Sequence, residues 1–476
     1  MTDGFDVVVV GSGPNGLAAA ITAAQAGLTV QVIEAADTLG GGLRSAELTE
    51  PGFIHDVCSA IHPTLMGSPF LSSLPLNDHG LRMLHPGVAF AHPLDGGRAA
   101  IMQRSVEATG RSLGADAASY AALMNPLVKS ADALLSQFLA PPRLPESPLA
   151  AARFGVNAVR SAQGVAGRFD GPAARALVAG LAAHAGLPLH RLATGGFALV
   201  LGFLAHSHGW PMAEGGSRNI AGALVSYLKS LGGSVITGWQ VRDLAELPPH
   251  KAVLLDVGPR QLITLAGGRL SGGYLRQLQR FRYGPGTFKV DWALDGPVPW
   301  TDERLRQAGT IHLGGTLEEI AFSELQIWTG GVTERPYMIV AQQSLTDPSR
   351  APEGKHTLWG YCHVPTGYDG DRTEAMENQI EQAAPGFKDL VLARHRMGPG
   401  RLQDYNGNYV GGDINGGVQD IWQLFTRPVV KVNPYSTPIP GVYLCSSSTP
   451  PGGGVHGMCG HFAARSALKQ EFGLVP

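Results

Sequence analysis

Three glycines near the N-terminus have the spacing of a phosphate-binding turn. Gly11, Gly13 and Gly16 follow a run of four valines, which is typical of a buried strand. In such a turn the first glycine permits the tight bend, the second lets a pyrophosphate approach the backbone, and the third lets the next helix pack closely on the strand. Pro14 and Asn15 lie where that helix begins and where its free N–H groups point at the phosphates. The spacing predicts dinucleotide binding.

A carboxylate follows the turn at a distance suited to ribose recognition. We predict a helix over residues 17–26 and a second strand over 29–33, which ends in Glu34. An acid about 20 residues beyond the first glycine accepts hydrogen bonds from the ribose hydroxyls and disfavours a 2′-phosphate. Because strand, turn, helix and acid occur in this order, the motif is more specific than a glycine turn alone.

Two further glycine-rich segments bear on which dinucleotide is bound. Gly41 and Gly42, followed by Arg44, bring bare backbone and a cation close after the acid. Residues 451–457 precede a C-terminal helix that we predict over 462–472. The free amides at such a helix start suit a second electron-rich group, such as the O2 side of a reduced isoalloxazine. The sequence therefore favours FAD over NAD, although residues 451–457 on their own also fit a plain glycine turn.

Two residues are candidates for the acid–base chemistry that accompanies a flavin. His456 lies in the glycine-rich segment before the last helix, where it could act as a base or bond a neighbouring loop. Asp413 lies in a glycine-rich loop upstream, where it could act as a base or bond its own backbone as a turn residue. His206 and His208 could suggest a metal pair on a strand, but no third ligand has a useful spacing. We therefore expect no metal.

The composition excludes several classes of protein. The 476 residues carry 36 basic and 38 acidic side chains, a formal net charge of −2, so no nucleic-acid partner is expected. The four cysteines include no C-x-x-C pair, which argues against a disulfide framework and a dithiol redox centre. No apolar run reaches the roughly 20 residues needed to cross a bilayer, and the N-terminus lacks the basic region of a secretion signal. We expect a cytoplasmic protein.

The order of the elements predicts an α/β fold with a discontinuous Rossmann-like FAD-binding domain. Strands, glycine turns and helices typical of that domain occur in residues 1–90, 210–280 and 425–476. Residues 105–209 are rich in alanine and leucine at helical spacing and predict a helical lid or substrate lobe. Residues 281–424 contain alternating apolar runs and predict an inserted β-sheet substrate domain.

The apolar character of the lid bears on the partners of the protein. Residues 121–139 and 199–204 are dominated by leucine, methionine, phenylalanine and valine. They either form an ordinary lobe core or surround the mouth of a tunnel that touches a membrane. We therefore expect a hydrophobic small-molecule substrate, and peripheral contact with a membrane stays an alternative.

Short motifs continue to the C-terminus at residues 52–56, 210–217, 347–354 and 449–455. With the N-terminal turn, they make the chain similar, nearly end to end, to the phytoene-dehydrogenase-related FAD oxidoreductases. It resembles in particular the bacterial branch akin to pyridine-nucleotide-disulfide-oxidoreductase-domain proteins. By this resemblance Val241, on the strand that follows Gly232 and Gly233, offers its backbone to the adenine. The turn motifs and the resemblance together predict these FAD-contacting residues: Gly11, Gly13, Pro14, Asn15, Gly16, Glu34, Gly41, Gly42, Arg44, Val241, Gly453, Gly454 and Val455.

The resemblance also implies an activity. It indicates an FAD-dependent oxidoreductase, a dehydrogenase, desaturase or isomerase, that acts on a hydrophobic small molecule by hydride transfer to flavin N5. Two alternatives remain open at this point. One is an amine-oxidase-type flavoprotein, and the other is a low-turnover flavin-bound interaction or assembly protein, which the lack of a compelling base favours.

Overall fold

The computed structural model describes residues 4–474. Its strands are β1 Phe5–Val10, β2 Val30–Ile33, β3 Ser45–Glu47, β4 Ile54–Asp56, β5 Met83–Leu84, β6 Val88–Leu94, β7 Arg98–Met102, β8 Met212–Ala213, β9 Ser234–Ile236, β10 His250–Leu255, β11 Gly286–Leu294, β12 Ala308–Leu313, β13 Met338–Ala341, β14 His356–Val364, β15 Val391–Met397 and β16 Val442–Leu444. Its helices are α1 Pro14–Gln25, α2 Pro63–Met66, α3 Val106–Leu113, α4 Ala117–Lys129, α5 Ala131–Phe138, α6 Pro148–Ala158, α7 Ala162–Ala166, α8 Pro172–Ala183, α9 Thr194–Ser207, α10 Arg218–Ser230, α11 Pro259–Leu265, α12 Gly272–Gln279, α13 Leu317–Trp328, α14 Thr373–Ala383, α15 Pro399–Tyr405, α16 Ile421–Thr426 and α17 Met458–Phe472.

A five-stranded parallel sheet carries the glycine turn. Its strand order is β16-β10-β1-β2-β9, so its strands come from three separate stretches of the chain. The central strand β1 pairs with β10 on one side and with β2 on the other. Its four valines are buried, as expected for a parallel strand that is covered on both faces. The predicted α/β fold with a Rossmann-like sheet is confirmed.

Helices α1 and α17 pack against each other beside this sheet. Pro14 begins α1, because its fixed φ suits the first helical position and its missing N–H costs no hydrogen bond there. Helix α17 begins at Met458, four residues before the predicted start, directly after Gly457 at φ 68°. The close approach of the two helices requires Gly460, because a Cβ there would overlap the carbonyl oxygen of Asn15.

A second sheet has seven strands in the order β15-β11-β14-β13-β12-β6-β7. The alternating runs near 288–294 and 337–341 form β11 and β13 as predicted. Residues 88–90, which the sequence placed with the cofactor domain, instead lie in β6, which pairs in parallel with β12. An apolar run predicts a strand but not its partner, and this partner lies more than 200 residues away.

The helical prediction for residues 105–209 agrees with the structure, since helices α3 to α9 fill this range. The proline-rich stretch that begins at Pro141 interrupts them between α5 and α6, because proline cannot donate to a continuing helix. His206 and His208 end helix α9 rather than lying on a strand, and the ring of His206 bonds the hydroxyl of Tyr120 at 2.7 Å. Within residues 4–474 no helix has the length and apolar character to cross a membrane.

Candidate functional site

One large cavity of about 1180 Å³ runs from the glycine turn to the helical lid. At one end it is lined by the turn after β1 and by Glu34 and Arg44. At the other end it is lined by apolar side chains of the lid, such as Phe154 and Phe197, and by Ile339 and Trp359 of the larger sheet. A polar pocket for a nucleotide and an apolar chamber therefore form one continuous space.

The glycine turn has the clearance that the sequence predicts. A Cβ on Gly16 would overlap the carbonyl oxygen of Gly11, so only glycine allows α1 to pack this closely on β1. Gly41 lies against the turn, where a Cβ would be 3.1 Å from Gly13 Cα. The Oδ1 atom of Asn15, which lines the cavity, is buried without a hydrogen-bond partner. Bare backbone and an unsatisfied polar atom at a helix N-terminus fit the pyrophosphate of FAD.

Glu34 organises this end of the cavity. Its Oε2 atom accepts hydrogen bonds from the backbone N–H of Ser12 at 2.9 Å and from the Ser12 hydroxyl at 2.6 Å. Its Oε1 atom accepts a hydrogen bond from Arg44 at 3.0 Å. The guanidinium of Arg44 also lies over the ring of Tyr405, 5.3 Å from its centroid. These contacts hold the predicted ribose-binding carboxylate at the edge of the cavity, next to the turn.

Asp256 is a site residue that the sequence analysis missed. It follows β10, and its Oδ2 atom accepts a hydrogen bond from the N–H of Gly16 at 2.9 Å. Burial raises the pKa of its carboxyl to about 7. The hydrogen bond from Gly16 acts in the opposite direction, and the nearby Glu34 carboxylate raises the pKa further. An acid directly after a buried strand was the available signal, but only the pairing of β10 with β1 places it behind the turn.

The other predicted FAD-contacting residues also line the cavity. Only the local structure at Val241 differs from the prediction. Gly453, Gly454 and Val455 form part of the cavity wall. Val241 lies in the wall as well, but in an irregular segment five residues beyond β9 rather than on a strand. Strand pairing with β2 ends at Ile236, so the chain is free to turn Val241 toward the cavity.

His456 lines the cavity, but the backbone occupies both of its ring nitrogens. Nδ1 accepts a hydrogen bond from the N–H of Met458 at 3.0 Å, so Nε2 carries the proton and donates to the Gly452 carbonyl at 3.2 Å. Burial lowers the pKa of the ring to about 4. With its single lone pair in use, His456 fits the loop-bonding interpretation better than that of a base.

Asp413 is not among the cavity-lining residues. Its carboxylate accepts backbone hydrogen bonds from Gly284, Asn415 and Gly417, at 2.7, 2.8 and 2.8 Å. Burial raises the pKa of this carboxyl, while the three donors act in the opposite direction. The geometry matches the turn-residue interpretation, because three backbone N–H groups already occupy the carboxylate.

A pair of histidines lies at the inner, apolar end of the cavity. His184 lines the cavity, and its Nε2 is 3.1 Å from Nε2 of His312 on β12. The second nitrogen of His312 is buried without a partner. Removal from bulk water lowers the pKa of His184 to about 3, so the ring is neutral. Neither histidine was among the candidate bases of the sequence analysis.

Two aromatic rings face the same chamber. Trp359 and Tyr361, on alternate positions of β14, both line the cavity. Their ring centroids are 5.2 Å apart and their planes are inclined by 80°. Residues two apart on a strand point to the same face, which explains why both rings reach the cavity. Within residues 4–474 no group of His, Cys, Asp or Glu side chains has a geometry that could hold a metal ion.

Comparisons with known proteins agree with this geometry. Residues 9–71 match the family model of the NAD(P)-binding Rossmann-like domain. The chain is 25% identical to pyridine nucleotide-disulfide oxidoreductase domain-containing protein 2 of Mus musculus, over 98% of this chain and 93% of the mouse protein. An oxidoreductase from Methanosarcina mazei superposes with a TM-score of 0.62 at 16% identity, covering 98% of this chain and 100% of that one. Cyclohexylamine oxidase from Brevibacterium oxydans superposes with a TM-score of 0.60 at 14% identity, covering 98% and 99%.

The chain shares its α/β fold with these two solved structures. The resemblance inferred from the motifs is confirmed for the pyridine nucleotide-disulfide oxidoreductase domain proteins, as a similarity along nearly the whole chain. Its phytoene-dehydrogenase part stays a prediction.

The buried histidines predict a loss of stability in mild acid. Burial lowers the pKa of His55, His62, His92 and His456 to about 4, and that of His184 to about 3. In the unfolded chain each titrates near about 6.5. Below that pH the unfolded state therefore binds more protons than the folded state. The free energy of unfolding is highest above about pH 6.5 and decreases as the pH falls toward 4. Each histidine contributes a slope of up to about 1.4 kcal/mol per pH unit, which unfolding by denaturant at several pH values measures.

Asp256 changes the free energy of unfolding with pH in the opposite direction to the histidines, and it provides a control for this prediction. Its raised pKa means that the folded state takes up a proton between about pH 7 and 4 before the unfolded state does, which adds stability as the pH falls. We expect Asp256→Asn to steepen the acid loss and His62→Gln to flatten it. Unfolding that is independent of pH between 7 and 5 in all three proteins would contradict the assignment of neutral histidines.

Proposed function

We propose that this protein is an FAD-dependent oxidoreductase that oxidises, desaturates or isomerises an apolar small molecule. The observation that carries the proposal is the single cavity that joins the glycine turn to a chamber lined by apolar side chains. A dinucleotide held at the turn would extend along this space toward the chamber, and a substrate would enter from the lid side. Apolar walls exclude water there, which protects a reduced cofactor and a reactive intermediate.

The residues that would hold FAD are those at the polar end. The turn at Gly13 and the N-terminus of α1 suit the pyrophosphate, and Glu34 suits the ribose. Gly454 and the start of α17 suit the far end of the flavin ring, because helix N-terminal amides favour negative charge. Bound FAD supplies a ring that accepts a hydride at N5.

We assign to His184 the acceptance of the substrate proton. Its Nδ1 makes no hydrogen bond within the described part of the chain, and its ring lines the chamber. We assign Nε2 of His184 as the donor of this pair, which leaves the lone pair of the ring on Nδ1. A proton that arrives at Nδ1 then releases the Nε2 proton to the lone pair on Nε2 of His312. This pair replaces the two bases that the sequence suggested, because His456 and Asp413 are both occupied by backbone groups.

Purified protein tests the proposal in two steps. We expect it to retain FAD and to show the flavin absorption spectrum. Under anaerobic conditions, we expect polyenes or compounds from lipid extracts to bleach that spectrum. A colourless preparation that takes up no added FAD would refute the cofactor. Bleaching by dithionite alone would instead support the low-turnover interaction or assembly protein.

An amine oxidase is the second candidate, and the Trp359–Tyr361 pair favours it. Two steeply inclined rings at the chamber can flank a nitrogen-bearing substrate. The similarity in fold to cyclohexylamine oxidase is consistent with this chemistry. Bleaching only by amines in the same screen, with rapid reoxidation by O2, would select this candidate.

His184→Gln tests the proposed proton acceptor. We expect the variant to keep its flavin and to lower the rate of flavin reduction by the best compound in the screen about a hundred-fold, the usual scale of a lost general base. Stopped-flow absorbance over a pH series measures this rate. His190→Gln, at an exposed position of the same lobe, is the matched control. Equal rates and equal pH profiles in wild type and His184→Gln would remove His184 from the reaction.

A further inference from the structure

The cavity opens to the surface where helices α6 and α16 meet its wall. Val159 and Phe425 both line the cavity and are 53% and 63% exposed, so they stand at its mouth. Further exposed apolar side chains lie on the same two helices and in the loop before α9. We call the whole set the mouth rim: Leu149, Val156, Val159, Leu192, Trp422 and Phe425.

Several members of the mouth rim share one face of a helix or are held next to each other by a backbone hydrogen bond. Leu149 and Val156 are seven residues apart on α6 and therefore share one face. The carbonyl of Val159 accepts a hydrogen bond from the N–H of Ala193 at 3.1 Å, which places Leu192 next to Val159. On α16, Trp422 and Phe425 are three residues apart and project from one side.

Positive charge is concentrated in the part of the chain that contains α6 and Leu192. Between residues 147 and 213 the only acid is Asp170, although the whole chain is slightly acidic. Arg153 and Arg160 flank the apolar face of α6 and are exposed, and neither forms an ion pair with another described residue. Five arginines occupy this stretch: Arg153, Arg160, Arg168, Arg175 and Arg191, of which Arg175 forms an ion pair with Glu318.

We propose that the mouth rim docks on a bilayer surface that carries anionic lipid headgroups. Helices with exposed apolar residues flanked by arginine lie in the interface of such membranes, and tryptophan is favoured at headgroup depth. A second copy bound through the same face would set these arginines against each other, because the two partners of a symmetric dimer present the same patch. Apolar side chains with unpaired cations around them fit anionic lipid better than a like-charged protein surface.

Docking in this orientation points the cavity mouth into the membrane. An apolar compound dissolved in the bilayer then reaches the chamber without crossing water. This last step rests on the proposed function, whereas the docking itself depends only on the rim and its charges. Vesicle binding is scored on the protein in the pellet, so it can fail or succeed independently of any turnover.

Sedimentation with vesicles tests the proposal on the full chain. We expect binding to vesicles of phosphatidylcholine with phosphatidylglycerol, and much weaker binding to phosphatidylcholine alone. Raising the salt concentration is expected to weaken the first interaction. The double variant Arg153→Gln, Arg160→Gln is expected to lower the partition coefficient about five-fold for each arginine removed. We expect Trp422→Gln to lower it about ten-fold through lost apolar insertion.

Matched variants elsewhere control for unspecific effects. Arg98→Gln on β7 and Phe322→Gln on α13 change exposed residues of the same kinds on elements that do not line the cavity, and both are expected to bind vesicles as wild type does. Equal binding to both vesicle types, or unchanged binding by both rim variants, would overturn the proposal. So would a concentration-dependent dimer that light scattering detects in wild type and not in Trp422→Gln, which would assign the rim to a second copy.

Discussion

Gly13→Asp is expected to abolish flavin retention. The Cβ of a residue at this position would lie 2.5 Å from Oδ2 of Asp256, so the new carboxylate cannot turn back into the protein and must project toward the pyrophosphate. Like charges at about 4 Å in a partly buried site repel by about 4 kcal/mol. We therefore expect FAD to bind at least about a hundred-fold more weakly, as measured by titration of the apoprotein followed by flavin fluorescence.

A graded series separates charge from bulk in this experiment. Gly13→Ala introduces the same Cβ without the charge, and we expect it to weaken binding far less, because the carboxylate of Asp256 can shift. Gly222→Asp on α10 is the control for an introduced acid, since no atom lies within 4 Å of a Cβ there. Stoichiometric flavin in purified Gly13→Asp, with circular dichroism like that of wild type, would refute the placement of the pyrophosphate.

Gly460→Ala is expected to destabilise the protein more than other single-methyl changes in its helices. The added Cβ would overlap the carbonyl oxygen of Asn15 and lie 2.9 Å from the backbone nitrogen of Ala19. These are backbone atoms of α1, so the strain is relieved only if α17 moves away from it. Overpacking of this kind costs about 3 kcal/mol. Denaturant unfolding measures the change in the free energy of unfolding.

Gly222→Ala is expected to change the free energy of unfolding in the opposite direction. It adds the same methyl group to an exposed helical position with free space around it, and alanine is favoured over glycine in a helix by about 1 kcal/mol. We expect Gly460→Ala also to lose flavin, because the proposed phosphate-binding turn lies at the N-terminus of α1. A Gly460→Ala protein as stable as Gly222→Ala would mean that the two helices pack less closely than the structure shows.

Much of the polar end of the cavity could be predicted from the sequence because its signals are local. Gly11, Gly13, Gly16 and Glu34 lie within one strand–turn–helix–strand unit, and each glycine has a steric reason that holds in any such unit. The structure places all four at one end of the cavity or in direct support of it. The α/β fold and the helical lid were likewise visible as periodicity and element order.

Site residues that contact each other from distant parts of the sequence could not be predicted from local patterns. Asp256 bonds Gly16 across 240 positions, and His184 meets His312 across 128 positions. Neither pairing leaves a local pattern, since it depends on which strands become neighbours in a sheet and which helix covers them. The same reason explains why residues 88–90, the start of β6, were placed with the cofactor domain although β6 pairs with β12.

The two candidate bases, His456 and Asp413, show most clearly what the sequence determined and what only the tertiary structure decided. The sequence by itself determined that His456 and Asp413 lie in glycine-rich loops, and it left each with a catalytic and a structural interpretation. Only the tertiary structure decided between them, because a lone pair is available for catalysis only when no backbone N–H already occupies it. Residue type and spacing determined the glycine turn. The folded chain decided which polar side chains are free to react, and that the cavity at the turn continues into an apolar chamber.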